Sequence, residues 1–104
     1  MLVTTGNDVP GRTVTQLLGV VRGVIVRSPS IAQGIMGGLK QFVGGNIDSY
    51  AKVCDKARQD SYDLMVRQAE KLGADAIIGM RYDATEFSQA TTEVLAYGTA
   101  VKLS

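Results

Sequence analysis

The side chains able to do chemistry in this sequence are few, and one type is missing altogether. There is no histidine, which removes Ser/His and Cys/His nucleophilic arrangements and the commonest transition-metal ligand. The single cysteine, Cys54, falls short of the two or more thiolates or imidazoles that a soft metal ion wants. Met36, Met65 and Met80 sit in apolar segments, where they are expected to fill core or interface. A hard cation could use the carboxylates Asp75, Asp83 and Glu86, yet their spacing matches no calcium loop or paired-ligand motif. With Cys54 these three complete the candidate metal ligands, and no motif specifies a cofactor.

Phosphate recognition fares no better, because neither Gly-x-Gly-x-x-Gly nor Gly-Lys-Ser/Thr occurs. The amides of Gly44, Gly45 and Asn46 lead into a long helix, where they could hold an anion or form a turn that needs positive φ. Tyr50, one turn further, could orient a ligand or pack its ring. Arg58 could pair with Asp55 or reach a neighbouring subunit. The candidate ligand residues are therefore Gly44, Gly45, Asn46, Tyr50, Arg58 and Asp83. The amides with Arg58 favour a small anion, whereas Asp83 repeated by symmetry favours a cation. An enzyme would have to rest on Lys, Tyr or a carboxylate with shifted pKa, and no nucleophile stands beside a base. The expectation is a protein without covalent catalysis; an enzyme acting at a subunit interface is the alternative.

The elements that must position these residues follow from periodicity. Residues 47–72 carry Ile47, Tyr50, Ala51, Cys54, Ala57, Ser61, Leu64, Met65, Ala69 and Leu72 at steps of three and four, an amphipathic helix. Asp48 with Lys52 and Asp63 with Arg67 have the favourable i,i+4 orientation. Gly73 stands where a left-handed C-cap would sit, and Lys71 suits the negative end of the helix dipole. Cys54 lies on the apolar stripe, so a buried structural thiol is expected. Before this helix, residues 13–26 form an apolar strand at both parities, which implies cover on both faces or an intersubunit surface. Ile31, Ile35, Leu39 and Phe42 recur at helical spacing, but Gly34, Gly37 and Gly38 leave only a short, weak helix. After it, residues 74–83 and 91–103 read as an antiparallel hairpin. Asp75, at the helix-to-strand junction, is expected to bond turn amides. At the start, residues 2–5 form a brief strand before the turn chemistry of Asn7-Asp8 and Pro10-Gly11, expected to pair with a sheet edge, that of a neighbouring subunit. The sum is α+β, an antiparallel sheet packed against one long and one short helix.

The chain of 104 residues fits one domain, 1–104. Eleven basic against ten acidic residues, with no run of like charge, leave no stripe for nucleic acid. The start lacks a basic n-region and an apolar stretch, the longest apolar run is too short to span a bilayer, and the lone thiol suits a reducing compartment; these point to a cytoplasmic location without membrane insertion. Apolar strands beyond what one sheet face and two helices can cover point to self-association.

Val43-Gly44-Gly45 with Tyr50, Ala57-Arg58, Leu72-Gly73-Ala74-Asp75-Ala76-Ile77-Ile78-Gly79 and Gly98-Thr99-Ala100-Val101-Lys102 resemble the YbjQ-like family of bacterial proteins, over essentially the whole chain. The resemblance implies a subunit similar to dodecin, assembled as a homopentameric ring, and brings a heavy-metal-binding label. Where family members often read Asp-Tyr-Glu, this chain has Asp83-Ala84-Thr85, with an acid only at Glu86. Cys54 lies outside the shared motifs.

Overall fold

The fold comes from a computed structural model that describes residues 1–27, 47–88 and 91–104. Among these residues five elements follow in order: β1 (Leu2–Val3), β2 (Val14–Arg27), α1 (Ile47–Lys71), β3 (Ala76–Ser88) and β4 (Thr91–Leu103). The strands form one sheet in the order β1-β3-β4-β2, and α1 packs on one of its faces. The α+β class and the long helix agree with the sequence reading. The short helix expected over 31–42 lies outside the described residues.

The helix is long because its apolar stripe runs unbroken for seven turns, and it buries the small side of that stripe. Ala57, Ser61, Met65 and Ala69, four residues apart, are all buried. Ser61, the one polar residue there, donates its hydroxyl to the Arg58 carbonyl at 2.9 Å, which removes the cost of hiding an unpaired hydroxyl. Gly73 ends the helix at φ 77°. The Ala74 amide reaches the Ala69 carbonyl and the Gly73 amide the Glu70 carbonyl, the two bonds of a Schellman cap.

Alternation along the sheet separates a helix side from an outer side. Val21, Gly23, Ile77, Met80, Ala96, Gly98 and Ala100 are on the helix side or in the core beneath it. On the outer side, Val9 folds back from the 4–13 loop onto Ala76 and Val101 and closes a second, smaller cluster. That cover stops short of β2, where Leu17 is 68% and Val20 72% exposed, with Val24 and Val26 also open. The two-parity apolar character of this strand is thus explained on its helix side and left without cover on its outer side.

Two expectations are corrected. The sheet is mixed, since β1 pairs parallel with β3 through Leu2 with Ala76 and Val3 with Ile77, and the N-terminal strand pairs with its own chain. The pairing is favoured because the segment continues past β1: the Thr4 amide bonds the Ile77 carbonyl, the Met80 amide the Thr4 carbonyl and the Gly79 amide the Gly6 carbonyl. Gly79, at φ 61°, makes the bulge that lets this happen. The second correction concerns charge pairs on α1: Asp63 accepts from Gln59 Nε2 at 2.9 Å, one turn earlier, where pairing with Arg67 is expected. Among the described residues the ion pair on this helix joins Lys56 to Asp60 at 2.7 Å.

Candidate ligand cleft

Two of the residues singled out from sequence meet in space. Arg58, near the middle of α1, and Asp83, on the distal half of β3, line one small cavity of about 160 Å³ together with Tyr82, Ala84 and Val94, with Asp83 at its rim because it alternates with Tyr82 and Ala84 along the strand. The sheet builds its floor: Tyr82 pairs with Ala96 and Ala84 with Val94 across the ladder, so Tyr82, Ala84 and Val94 share the helix side. The helix supplies the roof, because Arg58 follows the buried Ala57 and points its long side chain over the sheet's far end. Sequence periodicity missed Tyr82; its facing depends on the bulge at Gly79, which resets the alternation of β3 and puts Tyr82 in phase with Met80.

The cleft has a definite electrostatic character. The Tyr82 phenol is pushed above its ordinary value, first by burial, then by the neighbouring Tyr62 and Asp63, with the Arg58 guanidinium opposing. A phenol held protonated at neutral pH is a hydrogen-bond donor and a poor nucleophile. Asp83 spends one carboxylate oxygen locally, accepting from the Ala84 amide at 2.9 Å. Arg58 remains as a planar fork of donors suited to carboxylate or phosphate oxygens. At about 160 Å³ the cavity is smaller than the roughly 300–1,000 Å³ typical of metabolite pockets, so it fits an ion or a few-atom molecule.

The other candidates are elsewhere. Gly44, Gly45 and Asn46 lie outside the described residues, and Tyr50 is described only as backbone in the first turn of α1. Asp75 sits at the opposite end of β3, where its carboxylate accepts from the Leu103 amide at 2.9 Å and its own amide bonds the Val101 carbonyl. Where bonds to turn amides are expected of Asp75, its carboxylate instead takes the strand amide at the end of β4. Glu86 is exposed near the hairpin end. Cys54 is exposed, a correction to the expected buried thiol: it shares the helix face of Ser61, seven residues on, but stands a turn before Ala57, where burial of that face begins among the described side chains. Among the described residues no group of three Cys, Asp or Glu side chains is placed to hold a metal ion. A lone exposed thiolate, with no imidazole in the chain, does not fit a soft-metal site within one subunit. No described helix is long and apolar enough to cross a membrane.

Comparison with known proteins agrees with the fold. A family model described as "Putative heavy-metal-binding" matches residues 1–104. A UPF0145 protein of Legionella pneumophila (strain Corby) is 54% identical over 101 residues, covering 97% of this chain and 96% of the relative. One of Paraburkholderia phymatum is 55% identical over 100 residues, covering 96% and 90%, and one of Solibacter usitatus 52% over 101, covering 97% and 90%. A crystal structure of a protein of unknown function from Pediococcus pentosaceus, assigned to the DUF74 family, superposes with a TM-score of 0.64 at 22% identity over 100% of this chain and 98% of that one, which speaks for the fold alone. On the full-length match and these identities, the chain belongs to the YbjQ-like family.

Proposed function

We propose that this chain is the single-domain, dodecin-like subunit of a cytoplasmic homopentameric ring that binds a small anion and performs no covalent chemistry. The observation that carries the reading is the open outer face of β2. Leu17, Val20, Val24 and Val26 form an exposed apolar row on a 14-residue strand at the sheet edge. Such a contiguous row marks an interaction surface, and an uncovered long edge is a template for another strand. The family resemblance supplies the number five.

The ligand class follows from the Arg58 cleft. Arg58 offers a charged donor fork and Tyr82 a protonated phenol, while Asp83 alternates with Tyr82 and Ala84 and takes the outer side of the sheet, so the donors on the helix side favour an anion of phosphate or carboxylate size.

Light scattering at micromolar concentration tests the assembly: a multiple of 11.1 kDa is expected, and a clean monomer overturns it. Thermal shift with phosphate, sulfate, acetate, magnesium and zinc tests the ligand class. Stabilisation by the oxyanions that disappears in Arg58→Ala is expected; stabilisation by the cations alone reverses the assignment.

A further inference from the structure

Among the described residues the sheet ends in two unlike edges. One is β2, at the end of the order β1-β3-β4-β2. The other is the distal half of β3, because the N-terminal segment pairs with β3 only as far as Met80. On each edge one outward amide is already held by a side-chain oxygen. The Arg22 amide donates to Gln68 Oε1 at 2.7 Å, and the Ala84 amide donates to Asp83 Oδ1 at 2.9 Å. A strand alternates its hydrogen-bonding sides, so Val20, Val24 and Val26 share the free side of β2 with Arg22, and Tyr82 and Glu86 share that of β3 with Ala84.

The edges also differ in charge. Beside β2 runs a groove of about 430 Å³ lined by Arg22, Arg67 and Lys71, with Gln68, Leu64 and Val24 and no carboxylate. The nearest acids on α1 are Glu70, between Arg67 and Lys71 but outside the groove's lining, and Asp63, which shares a neighbouring cavity with Arg67 and accepts from Gln59; one acid thus stands on each side of the groove against its three bases. The free stretch of β3 carries the acids Asp83 and Glu86, both exposed, while Arg81 at its start is tied to the carbonyls of Thr5 and Met80.

We infer that a second copy of this chain seats the acidic β3 edge against the basic β2 edge, with strand pairing between copies. Like edges are excluded by charge: β2 on β2 would set Arg22, Arg67 and Lys71 against themselves, and β3 on β3 would do the same with Asp83 and Glu86, each a repulsion. Only the unlike pairing is complementary. The faces match as well, because Arg22 pairs with Tyr97 and Asp83 with Leu95 in the ladder, which puts both side chains on the outer face of the sheet. Pairing unlike patches is heterologous, and a heterologous contact closes into a ring where the rotation from copy to copy closes. With the outer faces turned toward the axis of such a ring, the exposed Val20, Val24 and Val26 of successive copies would shield one another. Gln68 and Asp83 then hold, in the free subunit, amides that a neighbour's carbonyls take over in the ring.

This inference rests on the oligomeric reading above, and the test separates the two. The masses of full-length wild type, Arg22→Glu/Arg67→Glu, Asp83→Lys/Glu86→Lys and the variant with all four substitutions are measured by light scattering, with circular dichroism to establish folding. Each two-residue variant is expected to fall to 11.1 kDa, and the four-residue variant, whose edges are complementary again, to regain the wild-type mass. Val24→Pro is the milder probe: proline removes only a free-side amide on an edge strand, where the fold tolerates it, and it is expected to dissociate the ring with the fold intact. Folded variants that keep the wild-type mass overturn the edge pairing and leave the oligomer standing. A monomeric wild type overturns the oligomer itself.

Discussion

Gly23 of β2 lies directly beneath Met65 of α1: a Cβ added at Gly23 would stand 2.7 Å from the Met65 backbone nitrogen, 2.8 Å from Leu64 Cβ, and closer still to the Ser61 carbonyl oxygen. Backbone on both elements cannot give way as a side-chain tip can, so the helix would have to lift from the sheet. Gly23→Ala should destabilise the fold by about 1–3 kcal/mol and lower the melting temperature by several degrees for each kcal/mol lost. Gly6→Ala, which meets only ordinary contacts at 3.5 Å and beyond, is the control and should change little. Differential scanning calorimetry of the two variants decides it.

The N-terminal segment is stitched to its own β3 by three backbone bonds, from the Thr4, Met80 and Gly79 amides at 3.0, 3.0 and 2.7 Å. A chain starting at Asp8 loses all three and exposes the proximal edge of β3. Net contributions of about 1 kcal/mol per bond predict a loss of roughly 2–4 kcal/mol, seen in chemical denaturation. An unchanged denaturation midpoint would show that the segment adds nothing to the isolated fold.

How much of this was legible beforehand depended on whether the signal was local. The helix 47–71 and its Gly73 cap were readable, because a stripe at steps of three and four and a glycine after it are properties of neighbouring residues. The β3 and β4 hairpin was readable for the same reason. The parallel partner of Leu2 and Val3 was not, since it depends on Ala76 and Ile77, more than seventy residues away. The expected burial of Cys54 fails although its spacing fits the buried row, because that row is covered only from Ala57 onward, and where cover begins along a helix is set by the partner elements rather than by spacing. In the candidate cleft, Arg58 and Asp83 were nameable from residue type. Their partner Tyr82 was not, because the Gly79 bulge that sets its facing is stabilised by contacts with Gly6 and Thr4.

The Tyr82 phenol, raised by burial and by its neighbours Tyr62 and Asp63, makes stability fall in alkali. Below about 10, the ordinary phenol value, the folded and unfolded chains both hold the proton and this group contributes no slope. As pH rises past that value the unfolded chain releases the proton first, so the unfolded state binds fewer protons and stability declines until the folded phenol also ionises. Tyr82→Phe should flatten that part of the decline in a melting series between pH 9 and 11, and an unchanged series would assign the alkaline loss to other groups.

Cys54 carries the sharpest question about metal. As an exposed thiol, it should react fully with a disulfide reagent in the native protein without denaturant, at the rate of an ordinary surface cysteine. Protection that appears only in the assembled ring, and is lost in the dissociated edge variants, would locate Cys54 at a subunit boundary. With one thiol per chain and no imidazole, a soft ion could be held only if several subunits shared it. Titrations of zinc, nickel and copper(I) should therefore show binding no tighter in wild type than in Cys54→Ser, and chelator treatment of the purified protein should leave its melting temperature unchanged. Stoichiometric binding, at one ion per ring, that vanishes in Cys54→Ser would instead establish a thiolate site shared between subunits, a metal function that no group among the described residues of one subunit provides.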